Sequence, residues 1–394
     1  MSEDALRDCE SVHGYVSRIC FKKGPPTRVG AELEFLLAGA DPRDHVALPH
    51  VRAAVQQATP FPCDSSVTFE PGGQVELSSP PATSLTALVS GLHADVEHLV
   101  SVLADAGLRV LDVAVDPCRT PRRQLVSRRY DGMEAYFDEL EPGTDPADRV
   151  GRSMMTTTAA TQVNLDAGTD VAARWQLLHD LGPVLVAAFA NSPLRAGRLT
   201  GWKSTRQRIW QALDPSRTAP PPDGDPVSAY SELALDAPVM LERHRGTLRD
   251  WVLSDDPPHV ADLDLHLSTL FPPVRPRGWF EVRYVDAQPL AWWPVPVAVL
   301  SSLLDDPVAA GEAGEAAAPA RGRWRSAAQV GLADPVLQEA ASSCLRIATE
   351  SLERHDPLLV DIVARFREQY TDRGRCPADD RISSSSSDRE VGVQ

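Results

Sequence analysis

The chain has 394 residues, enough for one large domain or two ordinary ones, with a sizeable core. A formal net charge of −16 excludes a nonspecific binder of nucleic acid or anionic membrane, which would carry a basic surface. Cys9, Cys20, Cys63, Cys118, Cys344 and Cys376 include no CxxC pair, so reduced thiols are expected, not a disulfide scaffold or a zinc site.

The opening "MSEDALRDCE" is acidic and has no apolar signal core, so a cytoplasmic protein is expected, with no membrane and no nucleic acid among its partners. Residues 28–37, "RVGAELEFLL", alternate as a strand: Val29, Ala31, Leu33, Phe35 and Leu37 share one face, Glu32 and Glu34 the other. Pro71-Gly72-Gly73 forms a turn between Glu70 and a second alternating stretch. There Val75 and Leu77 oppose Gln74, Glu76 and Ser78. Residues 84–107 have helical spacing, a Ser start and a Gly stop; His93 and His98 in it are ordinary helix residues.

In "TQVNLDAG", Val163 and Leu165 alternate with Gln162, Asn164 and Asp166. Residues 170–190 read as a buried helix, whose run "LGPVLVAAFA" is too short to span a bilayer. "GWFEVRYVDAQP" sets Phe280, Val282 and Tyr284 against Glu281 and Arg283. Two further helices are expected over 334–355 and from Pro357 to about Tyr370. Segments 213–226 and 305–322 read as exposed loops. One catalytic domain, 1–371, is expected, followed by a disordered tail, 372–394, with five consecutive serines.

Four strands thus pair an apolar side with a side rich in carboxylates and amides. On those faces Glu32, Glu34, Glu70, Glu76 and Glu281 meet a single cation, Arg283. Two like charges about 4 Å apart cost roughly 1 kcal/mol in water and about 4 kcal/mol at an effective dielectric near 20. A solvated antiparallel face is the plain alternative. An enclosed face would need cations, and oxygen-only ligands favour Mg²⁺ or Mn²⁺.

An acidic cluster with arginines suggests phosphate chemistry, because arginine clamps phosphoryl and carboxylate groups bidentately. Arg152, Arg206, Arg208, Arg217 and Arg283 are the candidates, and a surface ion pair is the ordinary alternative for each. Neither a GxxxxGK[ST] loop nor a GxGxxG fingerprint occurs, so any ATP would bind through metals and a sheet.

Five segments occur in order: "GAELEF", "TFEPGGQVELSSP", "MMTTTAATQVNLDAG", "ANSPLRAGRLTGWKSTRQRIWQALDPSRT" and "HLSTLFPPVRPRGWFEVRYVDAQP". Together, from about residue 28 to 296, they resemble the glutamate–cysteine ligases of the plant and bacterial type, the actinobacterial enzymes of ergothioneine biosynthesis especially. The resemblance implies an α+β fold akin to glutamine synthetase: a curved antiparallel sheet with helices packed on its convex side. It implies Mg²⁺ (or Mn²⁺) with ATP as co-substrate. By motif, Glu32 and Glu34 match one pair of metal ligands and Glu70 and Glu76 a second. Glu281 matches the glutamate that precedes the active-site arginine, here Arg283, and both are expected to be catalytic. Glu281 and Asn164, which stands where some relatives have a metal-binding histidine, are counted with the expected metal ligands. Arg152, Arg206, Arg217 and Gln162 fall in substrate-binding segments.

The reaction so implied joins the glutamate γ-carboxylate to the cysteine amine through an acyl phosphate. It needs no enzyme nucleophile, which suits a sequence without a Ser-His-Asp or Cys-His arrangement. A ligase with another amine acceptor, a guanidino-type kinase and a non-catalytic ligand-binding protein remain as alternatives.

Overall fold

The alternating stretch at 28–37 becomes strand β1 (Val29–Ala38), the axis of the principal sheet. The computed structural model describes residues 5–240 and 244–391. In chain order the other strands are β2 (Ser66–Phe69), β3 (Val75–Ser78), β4 (Arg109–Leu111), β5 (Thr161–Asp166), β6 (Leu194–Arg195), β7 (Arg198–Leu199), β8 (Val274–Pro276) and β9 (Trp279–Val282). The sheet runs β2-β3-β1-β5-β9-β8, with β4 on the C-terminal end of β1; β6 and β7 form a separate ribbon. Every pairing is antiparallel.

Alternation sorts the sheet into two faces. Ala31, Leu33, Phe35, Val75, Leu77, Val163, Leu165, Phe280 and Val282 are all buried in one core. Helices Leu85–Asp105 and Pro294–Asp305 pack on the sheet, and Val171–Ala188 and Pro335–His355 pack on Pro294–Asp305. Three of these helices have side-chain caps: Ser84, the start expected from the sequence, and Asp170 and Asp334 each accept from a backbone N–H of the first turn. Helix Leu85–Asp105 is long and apolar enough, by composition, to cross a bilayer. Here its Leu88, Leu92, Leu99 and Leu103 lie in the core, and its buried Asp95 accepts from the Cys63 and Ser65 N–H groups.

The structure differs from the sequence-based expectations in three places. Segment 305–322 is not an open loop but helix Pro307–Ala317 and a 3₁₀ turn, Ala318–Ala320. Asp306 caps it, and Ala309, Ala313 and Ala317, four apart, bury one small-residue face against Pro335–His355. Within 213–226 a helical turn, Pro215–Thr218, buries Arg217. The segment after Thr371, expected to be disordered, begins ordered: helix Pro377–Val391 follows a buried Cys376, and the Ala378 N–H donates to Ala190 O at 2.9 Å. Lys203 pairs with Asp379 there.

Candidate active site

Register brings the polar residues together. Glu34 lies opposite Glu76 across β1–β3, and Glu32 opposite Gln162 across β1–β5. Asn164 lies opposite Glu281 across β5–β9, and Arg275 opposite Glu281 across β8–β9. Glu70 joins them through the turn, where its N–H donates to Gln74 O at 2.9 Å and its carbonyl accepts from Gly73 N–H at 2.8 Å. A glycine is required at 72, since a Cβ there would stand 2.1 Å from Thr156 O. Glu32, Glu34, Glu70, Glu76, Gln162, Glu281 and Arg283 all line a cavity of about 250 Å³.

The cavity has an acidic side and a basic side. On the acidic side, burial raises the proton affinity of Glu32, Glu34, Glu70 and Glu76. Glu32 is pushed up to about 7, by burial first and then by the charges of Glu281 and Glu76. Glu34 accepts from Ala160 N–H and Gln162 Nε2, both at 2.8 Å, and Thr68 Oγ1 donates to Glu76 at 2.6 Å. On the basic side, Glu281 is 1% exposed and fully engaged by arginines. Arg275 grips it bidentately at 2.6 and 2.9 Å, Arg283 reaches it at 2.7 Å and Arg277 at 3.3 Å. Although burial opposes ionisation, those guanidiniums hold its carboxyl well below the usual range. Arg283 Nη1 also donates to Gln162 Oε1 at 2.9 Å, tying the two sides together.

In this arrangement two of the expected metal ligands are engaged by other side chains. The Glu281 oxygens meet Arg275, Arg277 and Arg283. Asn164 accepts from the Trp279 indole through Oδ1 and donates through Nδ2 to Glu32, so its oxygen is already used. Among the described residues no three His, Cys, Asp or Glu side chains are gathered as a ready-made metal site. The remaining donors nevertheless suit a hard divalent cation: Glu32, Glu34, Glu70 and Glu76 offer only oxygen, and their ionised forms are under-compensated where they stand.

The expected arginines divide sharply. Arg283 lines the cavity. Arg206, 2% exposed, sits behind it: its Nη2 donates to Arg283 O at 2.7 Å, and Asp286 lies 3.8 Å from its Nη1. Trp210, on the cavity wall, has Arg206 at 5.6 Å and Arg283 at 5.9 Å from its ring centre. Arg208 is exposed over Trp202. Arg152 lines a different cavity with Arg122 and Arg123, and is held by Glu134 at 2.8 Å and Asp138 at 2.6 Å. Arg217 is wholly buried. It donates to Thr269 O and Oγ1 at 3.1 and 3.0 Å and to Pro238 O, with Asp214 at 3.3 Å.

Arg129, Tyr130, Arg275 and Arg277 line the carboxylate cavity and were not singled out from the sequence. Arg275 had a signal, since it alternates with Val274 and Pro276 in "VRPRG" and so shares the face of its cross-strand partner Glu281. Arg129 had none: it enters from helix Arg128–Leu140, its Nη2 donating to Ser268 O at 2.8 Å.

The fold, an open antiparallel sheet with helices packed on one face, is shared with known ligase structures. The glutamate–cysteine ligase of Francisella tularensis, solved in complex with AMP, matches with a TM-score of 0.55 at 13% identity over 92% of this chain and 85% of that one. A bifunctional glutathione synthetase from Pasteurella multocida matches with a TM-score of 0.53 at 13% identity, over 91% of this chain and 50% of that one. The model of glutamate–cysteine ligase family 2 matches residues 28–391, and the chain belongs to that family. It is 41% identical to the glutamate–cysteine ligase EgtA of Mycobacterium tuberculosis over 95% of this chain and 90% of that protein. With the chloroplastic glutamate–cysteine ligase of Arabidopsis thaliana it shares 30% identity over 57% of this chain and 46% of that protein. The family match thus continues well past residue 296, through the C-terminal helices.

Proposed function

We propose that the chain joins the glutamate γ-carboxylate to the cysteine amine at the expense of ATP, giving γ-glutamylcysteine, in ergothioneine or related thiol synthesis. The observation that carries this is the meeting of carboxylates from β1, β3 and the Glu70 turn with the Arg275–Glu281–Arg283 cluster in one cavity. In this reading the sheet is a cradle of the glutamine-synthetase kind, with the helices on its convex side.

A carboxylate must first gain a leaving group. A glutamate γ-carboxylate oxygen attacks the ATP γ-phosphorus, a P–O bond forms and the bond to ADP breaks. The cysteine amine then attacks the acyl carbon, the C–O bond to phosphate breaks, and the amine loses a proton. Arg283, with Arg275 and Arg277 beside it, faces the negative charge on the transferring phosphoryl and on the departing phosphate. Glu281 fixes those guanidiniums before substrate arrives, so little reorganisation is needed during reaction. Gln162, bonded to both Glu34 and Arg283, keeps the acidic and basic sides in register. Glu32, Glu34, Glu70 and Glu76 would hold Mg²⁺ or Mn²⁺; such an ion, when bound, supplies charge neutralisation to phosphate oxygens.

The test is direct. Purified protein with glutamate, cysteine, ATP and Mg²⁺ should release phosphate and form a γ-linked dipeptide. Phosphate release with a different amine from an acceptor panel would reassign the substrate. No release with any amine would end the reading.

A further inference from the structure

Asn164 is held from two sides. The Trp279 indole N–H donates to Asn164 Oδ1 at 3.0 Å, and Asn164 Nδ2 donates to Glu32 Oε1 at 2.9 Å. An indole nitrogen can only donate, so the amide atom facing it must be the oxygen. The amide hydrogens are then left for Glu32, whose ionised carboxylate can only accept. Turned over, the amide would set N–H against N–H and oxygen against carboxylate. One orientation therefore survives, and Trp279 selects it.

The sheet register makes the contact possible. Trp279 lies opposite Asp166 and Asn164 opposite Glu281, so Trp279 and Asn164 are diagonal neighbours on the polar face. Trp279 is not part of the carboxylate cavity. It lines an adjoining one of about 500 Å³ with Tyr15, Tyr230, Arg275 and Arg277, and Arg277 lies 5.7 Å from its ring centre.

We propose that Trp279 is a positioning residue for divalent-cation binding: through Asn164 it fixes the Glu32 carboxylate in the orientation a cation requires. The inference rests on the metal reading of the carboxylate cavity. The Trp279 N–H acts through Asn164, so loss of that N–H and loss of Asn164 have one shared consequence, a Glu32 side chain released from its oriented donor. Trp279 is 39% exposed, and phenylalanine replaces its ring without the N–H.

The experiment titrates Mn²⁺ into the full-length protein without substrates and reads free Mn²⁺ by electron paramagnetic resonance. The variants are Trp279→Phe, Asn164→Ala and the double substitution, each checked for an unchanged unfolding midpoint. Losing one net hydrogen bond, Trp279→Phe and Asn164→Ala should each weaken Mn²⁺ binding roughly fivefold, and the double variant no further. Tight wild-type binding that Trp279→Phe leaves unchanged would overturn the positioning role alone, as would losses that multiply in the double variant. A wild-type protein that takes up no Mn²⁺ would remove the metal reading, and this inference with it.

Discussion

Glu34 and Glu76 stand opposite each other in the β1–β3 pair, and burial raises the proton affinity of both. Like charges directly opposite in a sheet destabilise it. Neighbouring donors relieve only part of that cost: Gln162 and Ala160 bond Glu34, and Thr68 bonds Glu76. Without a divalent cation, the ionised site opposes folding.

Stability without metal should therefore fall as pH rises from about 6.5 to about 8. The sign follows from the shifts. Glu32, pushed up to about 7, and Glu34, also raised, bind protons more tightly folded than unfolded. Their stabilising contribution is present at low pH and is lost as pH rises through the folded value. Buried His179 and His266 are lowered to about 4; they lose their contribution toward acid below about 6.5, and the opposing slope they add at the lower edge of this window fades by about pH 7.5, leaving the carboxylates to set the trend above it. Urea unfolding should show a loss of roughly 1 kcal/mol per pH unit for each carboxyl titrating. Added Mg²⁺ should flatten or reverse the trend. A metal-free protein equally stable at both pH values would contradict the raised proton affinities.

Glu281→Gln should cost both activity and stability. The substitution removes the shared counter-ion of Arg275 and Arg283 where Glu281 is 1% exposed, and breaking a buried pair typically costs about 3–5 kcal/mol. Arg277 pairs with the same carboxylate but its side chain is 50% exposed, so Arg277→Ala should cost less than about 1 kcal/mol. Denaturant unfolding and phosphate release measured on both variants decide this. Equal, small losses of stability would mean that Glu281 does not anchor the arginines.

The polar faces were legible because a strand sorts its side chains by parity, and burial then demands that one parity be apolar. That logic placed Glu32, Glu34, Glu76, Gln162 and Glu281 on one surface without coordinates. Parity says nothing about which oxygen meets which donor. The engagement of Glu281 by Arg275 and of Asn164 by Trp279 depends on strand order and register, which no local pattern encodes. Arg217 is ambiguous for a related reason: a motif arginine near substrate segments looks the same in sequence whether or not it meets the Thr269 and Pro238 carbonyls as it does in this structure.

Arg217 and Arg283 should separate cleanly in kinetics. Arg217→Ala leaves Asp214 and two backbone acceptors without their partner, so the unfolding free energy should fall by about 3 kcal/mol or more. The KM values of the folded fraction should stay close to those of the unaltered protein. Arg217→Lys should rescue poorly, since one ammonium cannot reproduce a planar fork reaching several acceptors. Arg283→Ala should instead abolish phosphate release. A raised KM for ATP or glutamate in Arg217→Ala, with normal stability, would return Arg217 to the substrate site.

Segment 305–322 offers the last test, because its alanine, glycine and glutamate content is that of a linker while its spacing is that of a packed helix. Ala313 is 0% exposed and faces helix Pro335–His355, whereas Val308 on the same helix is 63% exposed. Ala313→Leu should overpack that contact and cost about 1–3 kcal/mol. Val308→Leu should stay within about 0.5 kcal/mol of the unaltered protein. Because cleavage requires local unfolding, a glutamate-specific protease should spare Glu312 and Glu315 in the native protein and cut there first in Ala313→Leu. Rapid cutting at Glu312 in the unaltered protein would identify a mobile lid rather than a structural helix.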